Sequence, residues 1–220
     1  MLVIDRLKIE FTYMDILECL QKSLIRVIAS IFLITVLFSC KNKNVQNADA
    51  SEIQNDFDKV AIELNDKAGR FMLDHLDSAI YYYKKSIQHD ENYIVAYANL
   101  AGAYTMFGQL DSAILISEKH LKLEPLLAEA WISTGTLYEK VGEKEVAYNY
   151  YKKGIDLYTE RIKSNPDKYF YENKLNRAVA YILIGKESLG QSEIEEVLSN
   201  DPDNPTVRMV LNMSRDELLQ

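Results

Sequence analysis

Cysteine occurs only at Cys19 and Cys40, so residues 41–220 contain none. That stretch can hold no internal disulfide, no thiol nucleophile and no thiolate metal site. Histidine is nearly as scarce: His75, His89 and His120 stand far apart, and none has a second ligand at metal-binding spacing. There is no glycine-rich phosphate loop and no nucleophile elbow. Asp201, Asp203 and Asn204 echo part of a calcium loop, but Pro202, Pro205 and a missing glycine contradict it and leave a turn. No run of Lys or Arg exceeds two residues and the formal charge is -8, which leaves nothing to neutralise phosphates. Nucleic acid is not expected as a partner. Acid pairs such as Asp90/Glu91 and Glu193/Glu196 read as solvated helix faces. No catalytic residue, metal or cofactor is assigned.

Long apolar runs are also scarce. One uncharged stretch, 27–39, follows Lys22 and Arg26 and ends at Cys40. It is shorter than the roughly 20 apolar residues that a spanning helix needs. A basic flank, a short apolar core and a closing small residue form the layout of a secretory signal. The close, Leu37-Phe38-Ser39-Cys40, resembles the lipobox of bacterial lipoproteins, although Phe38 is bulkier than the usual residue there. The resemblance implies a signal peptide over 1–39, lipidation of Cys40, and a polar, asparagine-rich tether to residue 50. Asp5 and Glu10 sit ahead of this signal, and Met14 offers an alternative start. Each buried acyl methylene contributes about 0.8 kcal/mol, so two or three chains would hold the protein at a membrane durably. The implied location is the bacterial cell envelope, the outer membrane favoured over the inner.

What the sequence does have is a period. Leu76-Asp77-Ser78-Ala79-Ile80 returns unchanged as Leu110-Asp111-Ser112-Ala113-Ile114, thirty-four residues on. The same step joins Tyr97 to Trp131, Tyr104 to Tyr138, Gly108 to Gly142 and Ala113 to Ala147. A fixed period of this size marks stacked helix–turn–helix units. Small residues at Ala101, Gly135, Ala113 and Ala147 allow two helices to approach closely, and Gly108 and Gly142 suit helix ends.

Three regions depart from the frame. Ser51 and Gln54 read as a capping box, opening a first helix whose strict register would bury Lys67 and Arg70. We expect an atypical helix there, with an altered turn near Asp74 and His75. In the third unit, the second helix runs on to Ser164 before Pro166, about two turns late. At the end, Asn204-Pro205 caps a terminal helix over 204–220. Val207, Val210 and Leu211 face inward there, and Arg208, Asn212, Arg215 and Asp216 share the polar back. Of the run Tyr81-Tyr82-Tyr83, not all can be core, because three consecutive residues span most of a helix circumference.

The recurring slots (aromatic, small residue, tyrosine, glycine, alanine, proline) resemble the tetratricopeptide repeat family over roughly 58–205. The resemblance implies an all-α fold: a right-handed α-solenoid of about 3.5–4 stacked units with a C-terminal capping helix. The unit boundaries are 58–93, 94–127, 128–168 and 169–203. It also implies a peptide groove on the hollow side, lined by the first helix of each unit. Asn99, Ser133 and Asn176 occupy the slot from which the family hydrogen-bonds a bound backbone, beside Met106, Glu129, Ile132 and Thr136. Members that clamp a chaperone's terminal carboxylate carry basic residues where this chain has Glu129 and Ser133, so that subtype is not expected.

The expected function is a non-catalytic, membrane-anchored scaffold that binds protein or peptide partners. One alternative is an envelope enzyme or glycan-binding module using acids such as Glu129 or Glu139. Another is a soluble cytosolic scaffold with an unprocessed leader.

Overall fold

A computed structural model describes residues 57–164, 169–211 and 213–219 of the chain. The signal segment, Cys40, the tether and the Ser51–Gln54 box lie outside the described residues. Within them, every regular element is a helix. Four antiparallel pairs follow one another: α1 (Lys59–Gly69) with α2 (Leu76–His89), α3 (Ile94–Met106) with α4 (Leu110–Leu123), α5 (Ala128–Lys140) with α6 (Lys144–Ser164), and α7 (Phe170–Leu183) with α8 (Glu187–Asn200). Two short helices close the order, α9 (Pro205–Leu211) and α10 (Arg215–Leu218). Apart from α10, each helix packs mainly on its neighbours in sequence, which is the contact pattern of a solenoid.

Three of the four intra-pair turns are built alike. Residues 107–109, 141–143 and 184–186 each centre on a glycine with positive φ: Gly108 at 78°, Gly142 at 91° and Gly185 at 79°. The residue after each glycine donates its N–H back to a tyrosine carbonyl: Gln109 to Tyr104 at 2.9 Å, Glu143 to Tyr138 at 2.9 Å, Lys186 to Tyr181 at 2.8 Å. This closure satisfies carbonyls that the helix end would otherwise leave open. The first turn has no such glycine and takes six residues, 70–75. The longer turn resolves the register conflict. α1 buries Ala61, Asn65 and Ala68, and Lys67 and Arg70 stay exposed. Its start is fixed by Asp58, whose side chain accepts from the N–H of Ala61 at 3.0 Å.

The pairs close at small residues. A Cβ on Gly135 would stand 2.7 Å from the Tyr151 ring, and one on Gly190 would stand 2.6 Å from the carbonyl oxygen of Ala178. Beside these contacts Tyr151, Tyr158, Ile132, Ile182 and Ile194 are almost wholly buried, in one apolar cluster that runs on to Val207, Val210 and Leu218. Full burial of an aliphatic side chain contributes about 2 kcal/mol, so this cluster binds the last two pairs and the terminal segment together. Of the tyrosine triplet, Tyr83 is core, Tyr82 stacks on Phe71, and Tyr81 is exposed.

Two features bear on the site. α6 has 21 residues against 14 for α2, α4 and α8, so it projects about 10 Å beyond a regular partner. The terminal segment is not a single capping helix. It breaks before Ser214, which caps α10 in a reciprocal box with Glu217. Arg215 accordingly leaves the solvent face assigned to it from the sequence and turns back onto the solenoid.

Two glycine substitutions separate packing from propensity. Gly190→Ala should destabilise by about 1–3 kcal/mol, because the neighbouring atom is backbone and cannot step aside. Gly102→Ala, in the interior of α3 with nothing within 4 Å of the new methyl, should stabilise by about 0.5–1 kcal/mol. Chemical denaturation of both variants measures the opposite signs.

Candidate binding groove

The first helices α1, α3, α5 and α7 lie one after another along the same side of the stack. Asn99 on α3 donates its side-chain amide to Asn65 on α1 at 2.9 Å, joining two successive first helices directly. Asn65 is buried, and it does not emerge from the sequence because the apolar frame of α1 is out of register, although it lies thirty-four residues before Asn99.

On α3 the outward face consists of Val95, Ala98, Gly102, Thr105 and Met106. Val95 is 42% exposed and Met106 39%, and the space over Gly102 is open. Thr105 donates its hydroxyl to the carbonyl of Ala101 at 2.8 Å. On α5, Ser133 and Thr136 do the same, to Glu129 at 2.9 Å and Ile132 at 3.1 Å. With their protons committed to their own helix, Thr105 and Ser133 keep lone pairs on partly exposed side chains, so the face offers acceptors set among apolar surface, whereas the Thr136 oxygen is already engaged by the Tyr151 hydroxyl at 3.5 Å.

The sequence reading fails for three residues. Ile132 is 1% exposed: its side chain lies where a Cβ on Gly154 of α6 would fall, so it belongs to the core. Asn176 is buried on α7 at 5% exposure and offers no accessible carboxamide. Glu129 is buried as well, and Arg161 holds it through both carboxylate oxygens, at 2.8 and 3.4 Å. Arg161 sits in the extra two turns of α6 and also donates to Asn173 of α7 at 3.2 Å. Asn99, Met106, Ser133 and Thr136 keep partial exposure.

The groove is thus open over α3 and filled over α5 and α7. At its far end Glu139, the other acid considered for catalysis, is shared between two donors. The Tyr151 hydroxyl reaches one oxygen at 2.9 Å, and Arg215 pairs with the other. Burial above all, opposed by the hydrogen bond with Thr136 and aided by the negative Glu139, raises the Tyr151 hydroxyl above its ordinary value, so it serves as a donor. Both oxygens of Glu139 are thereby engaged within the fold. The nearby cations Lys174 and Arg177 are likewise spent, on Glu196 and Glu193. Among the described residues no cluster of three or more His, Cys, Asp and Glu side chains could hold a metal ion.

No family model matches the chain. Among curated proteins it is similar to the Hsp70-Hsp90 organizing protein 1 of Glycine max, 25% identical over 165 residues that cover 73% of this chain and 27% of that protein. The corresponding protein of Triticum aestivum is 23% identical over 155 residues, 70% of this chain and 26% of that protein. The chain therefore spans about a quarter of the length of the curated relatives it matches. Among solved structures it superposes on PilW, described as a widely conserved type IV pilus biogenesis factor, with a TM-score of 0.51 at 17% identity, covering 70% of this chain and 71% of that one. A thermophilic TPR protein of Thermus thermophilus gives 0.50 at 19% identity over 72% of this chain and 86% of that one. These likenesses establish the fold: an all-helical solenoid of tetratricopeptide type.

Removing the cation that fills the middle of the groove should expose its cost. Arg161→Ala leaves the Glu129 carboxylate buried without its partner and should destabilise by about 2 kcal/mol, below the full range for a buried pair because the arginine is partly solvated. Urea denaturation measures the loss, and the double variant Arg161→Ala with Glu129→Gln should recover most of it.

Proposed function

We propose that the protein is a non-catalytic scaffold that binds a partner polypeptide across the outward face of α3 and the adjoining part of α5. Gly102 carries this reading. A glycine inside a helix costs about 1 kcal/mol relative to alanine, and here no internal contact needs the missing methyl. It keeps the α3 backbone accessible between two exposed apolar side chains, Val95 and Met106. Apolar anchors with a polar rim are the usual composition of an interface centre. The lone pairs of Thr105 and Ser133 suit a partner that presents donors, such as the N–H groups of an extended backbone.

The curated relatives are named Hsp70-Hsp90 organizing proteins, and the PilW structure is named as a type IV pilus biogenesis factor. Both names agree with a role in bringing proteins together. A clamp for a terminal carboxylate does not suit this chain, since Arg161, Lys174 and Arg177 each already face a carboxylate.

We further infer that the scaffold is tethered in the bacterial cell envelope, with the outer membrane favoured, through a lipid on Cys40. The support is the basic flank, short apolar core and Leu37-Phe38-Ser39-Cys40 of the sequence. No helix among the described residues is long and apolar enough to cross a membrane.

Two measurements test these readings separately. Crosslinking in membranes followed by affinity capture should recover a specific protein with the wild type. Met106→Glu and Gly102→Arg should reduce its yield at least tenfold with thermal stability no lower than that of the wild type, and equal recovery by all three proteins rejects the α3 face. Metabolic labelling with a radioactive fatty acid should mark the wild type and not Cys40→Ala; equal labelling removes the anchor.

A further inference from the structure

The seat of residues 213–219 has the features of an occupied ligand site. A continued stack would lay each new helix on the pair just before it. α9 does so, packing on α8, but α10 turns back onto α7 and reaches α5, with Arg215 pairing to a residue seventy-six positions earlier. Its attachment combines a few directed contacts with apolar packing, since Leu218 belongs to the core cluster and Met213 and Leu219 lie against it. The Arg215 guanidinium pairs with Glu139, and its Nε donates to the carbonyl of Leu183 at 2.9 Å. Lys140 donates from Nζ to the carbonyl of Leu219 at 2.6 Å. Leu218, on the same short helix, is 0% exposed.

These receptors belong to α5 and α7, the helices that line the groove. A four-residue helix cannot persist alone, so the Ser214–Glu217 box sets its local shape and docking holds it. Next to it remains a cavity of about 250 Å³, lined by Glu139, Tyr148, Tyr151, Leu183, Ile184 and Arg215. The resident segment does not fill this space.

We propose that the α5/α7 end of the groove is a docking site for a short helical segment bearing an arginine and, three residues on, a leucine. Residues 214–218 of this chain are its resident occupant and yield to a partner segment of the same chemistry. Glu139 and the Leu183 carbonyl receive the guanidinium, the pocket of Leu218 receives the leucine, and the adjoining cavity leaves room for a bulkier incoming side chain. A tethered occupant acts at an effective concentration on the order of millimolar, so a free segment competes only when it binds better or the tether lets go. The inference rests on the groove reading above, but it concerns Glu139 at the end of α5 together with α7, whereas that reading concerns α3 and the part of α5 around Ser133.

The probe is a fluorescein-labelled peptide with the sequence of residues 213–219, titrated by anisotropy against the full chain. Leu218→Ser should loosen the resident and bind the peptide at least tenfold more tightly than the wild type. Adding Glu139→Gln to that protein, or replacing the peptide's arginine by alanine, should abolish the gain. A folded Leu218→Ser protein that binds no better than wild type overturns the proposal. Should that variant lose its helical circular dichroism, hydrogen exchange on the wild type decides. Amides of 213–219 exchanging at least tenfold faster than those of α7 support a displaceable occupant, and exchange in step with α7 overturns it. Loss of peptide binding with normal capture of the α3 partner removes this inference alone. Capture insensitive to Met106→Glu removes the α3 reading alone.

Discussion

Everything in this molecule depends on how closely two helices of one pair can approach. At Gly135, Gly154 and Gly190 the partner helix occupies the space that a side chain would need, with Tyr151, Ile132 and the Ala178 carbonyl as the touching groups. Close approach fixes the rise per unit, and a constant rise stacks the pairs into a solenoid. It also turns the first helices toward one side, where their remaining faces form a shared surface. The groove is therefore a by-product of the core and is only as regular as the pairs behind it.

The pairs are not equally regular, and the difference determines what the groove can do. In the second unit α3 and α4 have ordinary lengths, and the α3 face stays open. In the third, α6 continues seven residues past its regular counterparts and carries Arg161 to Glu129 and Asn173. One elongated helix thereby pairs the buried Glu129 with a partly exposed arginine that joins α5 to α7. The last segment closes the rest, with Arg215 and Leu218 on the same two helices. A single surface is divided into an open half that lacks charge and a filled half that is held by charge.

The same division explains what can be read from the sequence alone. The repeat of thirty-four residues locates the turns at Gly108 and Gly142, and the displaced Pro166 locates the end of α6 at Ser164. Both are local, periodic signals. Glu129 falls in a groove slot only while α6 has standard length, whereas Ile132 is buried against Gly154, inside the regular part of α6. The group that covers Glu129 comes from outside the repeat, Arg161 at the end of α6, and the returning α10 takes Glu139 at the far end. The Ser214–Glu217 box is visible as a serine three residues ahead of a glutamate. The apolar spacing of Val207, Val210 and Leu211 outweighs it, because that spacing suggests an unbroken helix. Gly102 escapes a sequence reading for the opposite reason, since its importance lies in what does not touch it.

An open half and a filled half need not serve separate ends. The α3 face offers apolar contact and hydrogen-bond acceptors but no strong charge, so contacts there alone would be loosely oriented. The α5/α7 seat offers a buried acid and a leucine pocket, the kind of pair that fixes register, because a misplaced guanidinium leaves Glu139 unpaired. A partner that crosses both would be gripped at one end and positioned at the other. Its gain at the second seat would be only the difference between its own fit and that of residues 214–218, since the site is already filled. Such an exchange trades affinity for selectivity: a segment lacking the arginine is opposed by the resident, and one that has it is opposed far less.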